Sequence, residues 1–184
     1  MITVKFKIFN ICFLVSSLTG GIFFFLGFLL LPNEQFNPDL HPSFKTIFFT
    51  NFEIHIHTIF FSIISFGLFS LIFLFQQFFY LGFIIHSLVE KTSLKTAYSF
   101  FAGHGIIEVI NMFFTASIGL YVTVIIFNMI KNKEFGRKSF INLGKNLFLL
   151  LIIDILILLI AALLETYLSP LLVDKSNINH LYHH

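Results

Sequence analysis

Two carboxylates stand where a carboxylate is costly. Asp154 lies in the middle of an apolar run, and Glu108 lies near the start of another, four residues after His104. An ionised carboxylate inside hydrocarbon must be paired, hold a proton or face a water-filled cavity. Residues four apart share a face of a helix, so His104 can partner Glu108 if that stretch is helical. Gly103 and Gly105 remove side-chain bulk around His104 and let another segment pack close. The expectation is an intramembrane polar core in which His104, Glu108 and Asp154 meet. Such a core either fixes the register of the helices through hydrogen bonds, which is the favoured reading, or carries protons or a substrate group.

Other chemistry is poorly served. His104-Gly105-Ile106-Ile107-Glu108 lacks the His-Glu-x-x-His order of a zinc protease. A metal site would need His55, His57 or His86 as further ligands, and His55 and His57, two apart, do not share a helical face. No metal is expected. The single cysteine, Cys12, rules out an intrachain disulfide and a cysteine metal cluster. His180, His183 and His184 read as loose histidines of a polar tail. There is no phosphate loop, no Gly-x-Ser-x-Gly elbow and no dinucleotide fingerprint. The sequence therefore predicts no enzyme and no cofactor, and an ATP-driven machine would need its ATPase as a separate chain.

The elements that hold these residues are apolar helices. Charged residues make up 11% of the 184 and hydrophobic ones 57%; that is too few charges to face water, whereas a lipid-facing surface needs almost none. The formal net charge of +2 gives no concentrated basic footprint for nucleic acid. About 20 residues cross the hydrocarbon core. The first run, 8–31, follows Lys5 and Lys7 but is too long for a signal core and lacks a clear cleavage site, so it reads as a retained helix. In it, Ser16 and Gly20, and Ser17 and Gly21, have the small-x-x-x-small spacing that lets two helices approach. A polar loop with Pro32, Pro38 and Pro42 follows. The forty-odd residues after it read as two passes, 50–69 and 72–89, with a single long helix to about Phe75 as the alternative. A fourth run, 100–130, carries a broken or re-entrant segment near 97–110 as a second reading. A fifth spans 142–168, and a polar tail fills 170–184.

The whole is one membrane domain, an all-α bundle of about five transmembrane helices. Between the last two lies the basic stretch Lys131, Lys133, Arg137, Lys138 and Lys145, against Glu134 alone. With five crossings, the positive-inside rule puts this loop and the N-terminus in the cytoplasm of a multi-pass cell-membrane protein. The loop serves as a topology signal, or docks anionic lipid or a partner.

The stretch from Phe101 to Gly119, with its Gly103-His104-Gly105 and Glu108, resembles the central motif of the stage II sporulation protein M family. Asn51 with Gly67, the later Gly82, and Glu165 followed by Pro170 resemble further family positions, although the Asn-Gly pair expected just before Gly82 is missing. The resemblance covers roughly residues 8–170. It implies a polytopic, non-enzymatic membrane protein, either a scaffold or a component of bacteriocin immunity or secretion. Its partners would be other membrane proteins, cell-wall hydrolases or a separate ABC-type ATPase. The alternative is a permease-like subunit of an ABC exporter.

Overall fold

Apolar runs of this length have one way to satisfy their backbones in lipid, which is to hydrogen-bond within themselves as helices. The computed structural model describes residues 6–30, 43–91, 105–133 and 136–168, and these form five helices. They are α1 (Phe6–Leu29), α2 (Phe44–Ile64), α3 (Leu68–Lys91), α4 (Gly105–Lys131) and α5 (Arg137–Tyr167). Each is long and apolar enough to cross a membrane. The protein is a multi-pass, all-α helix bundle.

The bounds differ from the sequence reading where local chemistry intervenes. Helix α2 starts six residues before the expected 50, because the Ser43 hydroxyl accepts the Thr46 N–H at 3.2 Å and caps it. It ends five residues before the expected 69, at a turn over residues 65–67. Phe66 (φ 53°) and Gly67 (φ 85°) both take left-handed backbone there. The Gly67 N–H reaches back to the Ser62 carbonyl at 2.7 Å, closing a Schellman turn. The Ser65 hydroxyl then accepts the Phe69 N–H at 2.9 Å and starts α3. Helix α5 starts at Arg137, so its polar first turns extend the helix beyond the apolar stretch. Of the segment read as broken or re-entrant, 97–104 lies outside the described residues, and 105–110 is regular helix.

Successive helices run antiparallel. Helix α1 lies parallel to α3, as the pairs Phe23–Phe75 and Phe28–His86 show. Helix α2 lies parallel to α4, with His55 opposite Thr115 and Ser62 opposite Thr123. Helix α4 is central and touches the other four. Two apolar clusters flank it. Phe73, Leu74, Phe78 and Ala116 form one, where Phe78 and Phe113 stack at 4.4 Å. Phe9, Ile118, Tyr121, Val122 and Leu150 form the other. Large apolar side chains such as Phe25, Phe60, Phe127 and Phe148 point outward, as a lipid-facing surface requires.

The alternation sorts charge to the two ends. The start of α1, the 65–67 turn, the end of α4 and the start of α5 form one end, with Lys7, Lys131, Lys133, Arg137 and Lys138. Glu134 belongs to that connection but lies outside the described residues. Glu90, Glu108 and Glu165 collect at the opposite end, together with Lys45 and Lys91. The former is the basic end and the latter the acidic end.

Candidate functional site

Polar residues on α2 recur at Asn51, His55, Thr58 and Ser62, which is one helical face. That face turns inward. His55, Thr58 and Ser62 are buried and Asn51 is half-buried. Helix α4 answers with buried Asn111, Thr115 and Gly119, and α5 with buried Asp154. Their meeting point is a triangle of side chains. His55 Nδ1 lies 3.1 Å from Asp154 Oδ2 and 2.8 Å from Thr115 Oγ1, and the Thr115 hydroxyl donates to Asp154 Oδ1 at 2.7 Å.

Counting protons assigns the donors. Thr115 has one hydroxyl proton, and an ionised carboxylate can only accept. With that proton on Asp154, Nδ1 must carry the proton of the imidazole and donate it to Asp154 and Thr115 together. The same accounting separates the cluster from a nucleophilic triad. In such a triad the carboxylate and the nucleophile sit on opposite ring nitrogens. Here both partners face Nδ1, and no hydrogen bond from the described residues reaches Nε2. The geometry suits holding three helices in register, or holding a proton.

Further polar contacts extend from this centre. Toward the basic end, Ser62 and Ser70 hydroxyls meet at 2.7 Å. They close over Gly119, where any side chain would collide with both. The Asn146 amide donates to the Tyr121 hydroxyl at 3.3 Å. On the other face of α4, the Ser117 hydroxyl donates to Ser16 on α1 at 3.2 Å. Asn111 is the exception in this cluster: it is 1% exposed, its backbone carbonyl accepts from the Thr115 hydroxyl at 3.0 Å, and neither its side-chain nitrogen nor its side-chain oxygen has a hydrogen-bond partner among the described residues.

The residues singled out by sequence fall as follows. Asp154 takes His55 and Thr115 as its partners. Glu108 lies in the first turn of α4, two turns from Thr115, half-buried and near Glu165 on α5. His104, Gly103 and Pro170 lie outside the described residues. Gly82 and Gly27 set α3 against α1; a Cβ on Gly27 would fall on the Phe79 carbonyl, and one on Gly82 on the Phe24 carbonyl. Gly105 is buried at the start of α4. Lys131, Lys133, Arg137, Lys138 and Lys145 are exposed. Among the described residues no group of three or more His, Cys, Asp and Glu is placed to hold a metal. Sequence reasoning missed His55, Thr115 and Asn111 as members of a site. The α2 stripe carried the signal for His55, since polar residues on one face of an apolar helix turn toward protein rather than lipid.

A five-helix membrane bundle with a hydrogen-bonded interior, glycine-mediated contacts and charge sorted to its ends is the class of protein this geometry defines. The family model for stage II sporulation protein M matches residues 9–170, so the chain belongs to that family. No curated protein and no solved structure matches it.

Proposed function

We propose that the protein is a non-enzymatic membrane scaffold that serves bacteriocin immunity or secretion and docks a partner on its basic end. The observation that carries this reading is the exposed group Lys131, Lys133, Arg137 and Lys138 around one short connection, with Glu90, Glu108 and Glu165 at the other end. Under the positive-inside rule the basic end is cytoplasmic, so the N-terminus is inside and the C-terminus outside. Seven of the eleven Lys and Arg residues then face inward. Hydrogen bonds among α2, α4 and α5 support the scaffold reading, because they lock the helices that frame this docking surface.

The test is recovery of cross-linked partners from native membranes, comparing the natural chain with a variant in which Lys133, Arg137 and Lys138 are all neutralised. Loss of a specific partner in the variant supports the proposal, and unchanged recovery with unchanged topology overturns it. The partner's identity separates the readings. A cell-wall hydrolase or bacteriocin component favours the scaffold, whereas a stoichiometric ATPase favours the permease-like subunit of an ABC exporter. Reporter fusions at residues 40, 95, 138 and 180 test orientation; a cytoplasmic signal at 40 or 180 defeats the proposed arrangement.

A further inference from the structure

Helix α2 is polar on two faces. One is the inward face of Asn51, His55, Thr58 and Ser62. The other points outward: Thr46, Thr50, Glu53 and His57 are all exposed, and they recur at steps of four, three and four residues. The same spacing continues through Phe60 and Ile64, which are 55% and 60% exposed. Alternating steps of three and four make the a/d repeat of a coiled coil, the stripe that one helix presents to another. Helix α2 packs on α3, α4 and α5 through its opposite side, so this stripe faces away from the bundle. The second polar face makes α2 the least apolar of the five spans, with a mean hydropathy of 1.4 against 2.0 or more in the others.

Glu53 and His57 are the tenth and fourteenth of the 21 residues of α2, near the middle of the span. No hydrogen bond or ion pair joins either side chain to another described residue. A carboxylate and an imidazole at that depth are costly against lipid tails and require a polar partner. The stripe is its own complement. Copies of one chain insert in one orientation, so a twofold axis along the membrane normal sets two α2 helices parallel. In parallel a/d packing, Glu53 seats between Thr50 and His57 of the facing helix. Each imidazole N–H then donates to the carboxylate of the other copy, twice by symmetry. We propose that the protein pairs with a second copy of itself along the α2 stripe, joined near mid-membrane by two Glu53–His57 contacts. Thr46 and Thr50 keep the seam narrow toward the acidic end, and Phe60 and Ile64 pack at the other. A partner of different sequence would have to bring a matching acid and base, whereas α2 already carries both at the spacing that the symmetry needs. This inference goes beyond the scaffold reading and does not depend on it.

The test uses the full chain in lipid vesicles. Thr50→Cys and Phe60→Cys, each alone, should cross-link two copies on mild oxidation. Phe127→Cys, exposed on α4, should not, and neither should the natural chain with its buried Cys12. Energy transfer between labelled copies, followed as lipid is added, gives the dissociation constant of the pair. Glu53→Leu should raise that constant about tenfold, because two symmetric hydrogen bonds are lost at the average strength found inside membranes. Its helix content should stay natural, since Glu53 holds nothing within the bundle. Glu53→His combined with His57→Glu should restore tight pairing, because acid and base are exchanged across the same axis. Monomers at every dilution overturn the proposal. So do equal cross-linking from Phe127→Cys, capture of a different protein by Thr50→Cys in native membranes, and a Glu53→Leu pair as tight as the natural one.

Discussion

Helices α1 and α3 are joined by a different device from α2, α4 and α5. In the first pair two glycines bring backbone against backbone, Gly27 on the Phe79 carbonyl and Gly82 on the Phe24 carbonyl, with phenylalanines around them. In the second group the buried side chains of His55, Thr115 and Asp154 supply hydrogen bonds in the centre. Lipid is as apolar as leucine, so burying leucine against leucine gives little drive for helices to associate inside a membrane. Close contact and hydrogen bonding are what remain. The two regions use one each, and they should fail differently.

The largest effect is expected where no atom can yield. Gly27→Leu places carbon on a helix carbonyl that is itself hydrogen-bonded, and should cost at least about 3 kcal/mol, the top of the usual overpacking range. Reversible unfolding in bilayer-like micelles measures it, and near-natural stability would show that α1 is not docked through this face. Next comes Asp154→Leu, which takes a shared acceptor from the buried His55 ring and Thr115 hydroxyl and should cost about 2–3 kcal/mol. Asp154→Asn keeps an acceptor for Thr115 and should cost about half of that. If the two variants prove equal, the cluster is not held by its hydrogen bonds. Ser62→Ala removes one hydroxyl pair and should cost about 0.6 kcal/mol, the average for such bonds inside a membrane. Smallest is Gly21→Ala, since nothing lies within 4 Å of the added carbon; thermal unfolding should move within the ±0.5 kcal/mol typical of neutral surface changes. Gly20, one residue earlier, faces the Phe113 ring. A cost at Gly21 equal to that at Gly20→Ala would break the assignment of inner and outer faces.

The existence of the five helices was legible because a membrane-crossing run is a matter of composition and length. Their ends were less so. Residues 71–75 are wholly apolar, so the sequence offered no mark of a chain reversal near them. The marks were Ser65, which caps both helices, and Gly67, which needs a left-handed backbone. Asp154 was legible as a costly residue that required a partner. Its partner was not, because His55 lies 99 positions away and only the packing of α2 beside α4 brings it there. Of the two small-residue pairs in α1, spacing treated them alike. The structure uses Ser16 and Gly20 against α4 and leaves Gly21 open.

The turn at residues 65–67 bears on how the chain is made. With three residues between α2 and α3, there is no stretch that can wait in water while one helix is already seated in lipid. The two must therefore leave the insertion machinery together, as one hairpin. A helix-breaking or lengthening change at Ser65 or Gly67 should then appear first as a biogenesis defect, with α3 stalled or inverted during synthesis and the missing product degraded. Molecules that did complete insertion would carry an almost normal bundle.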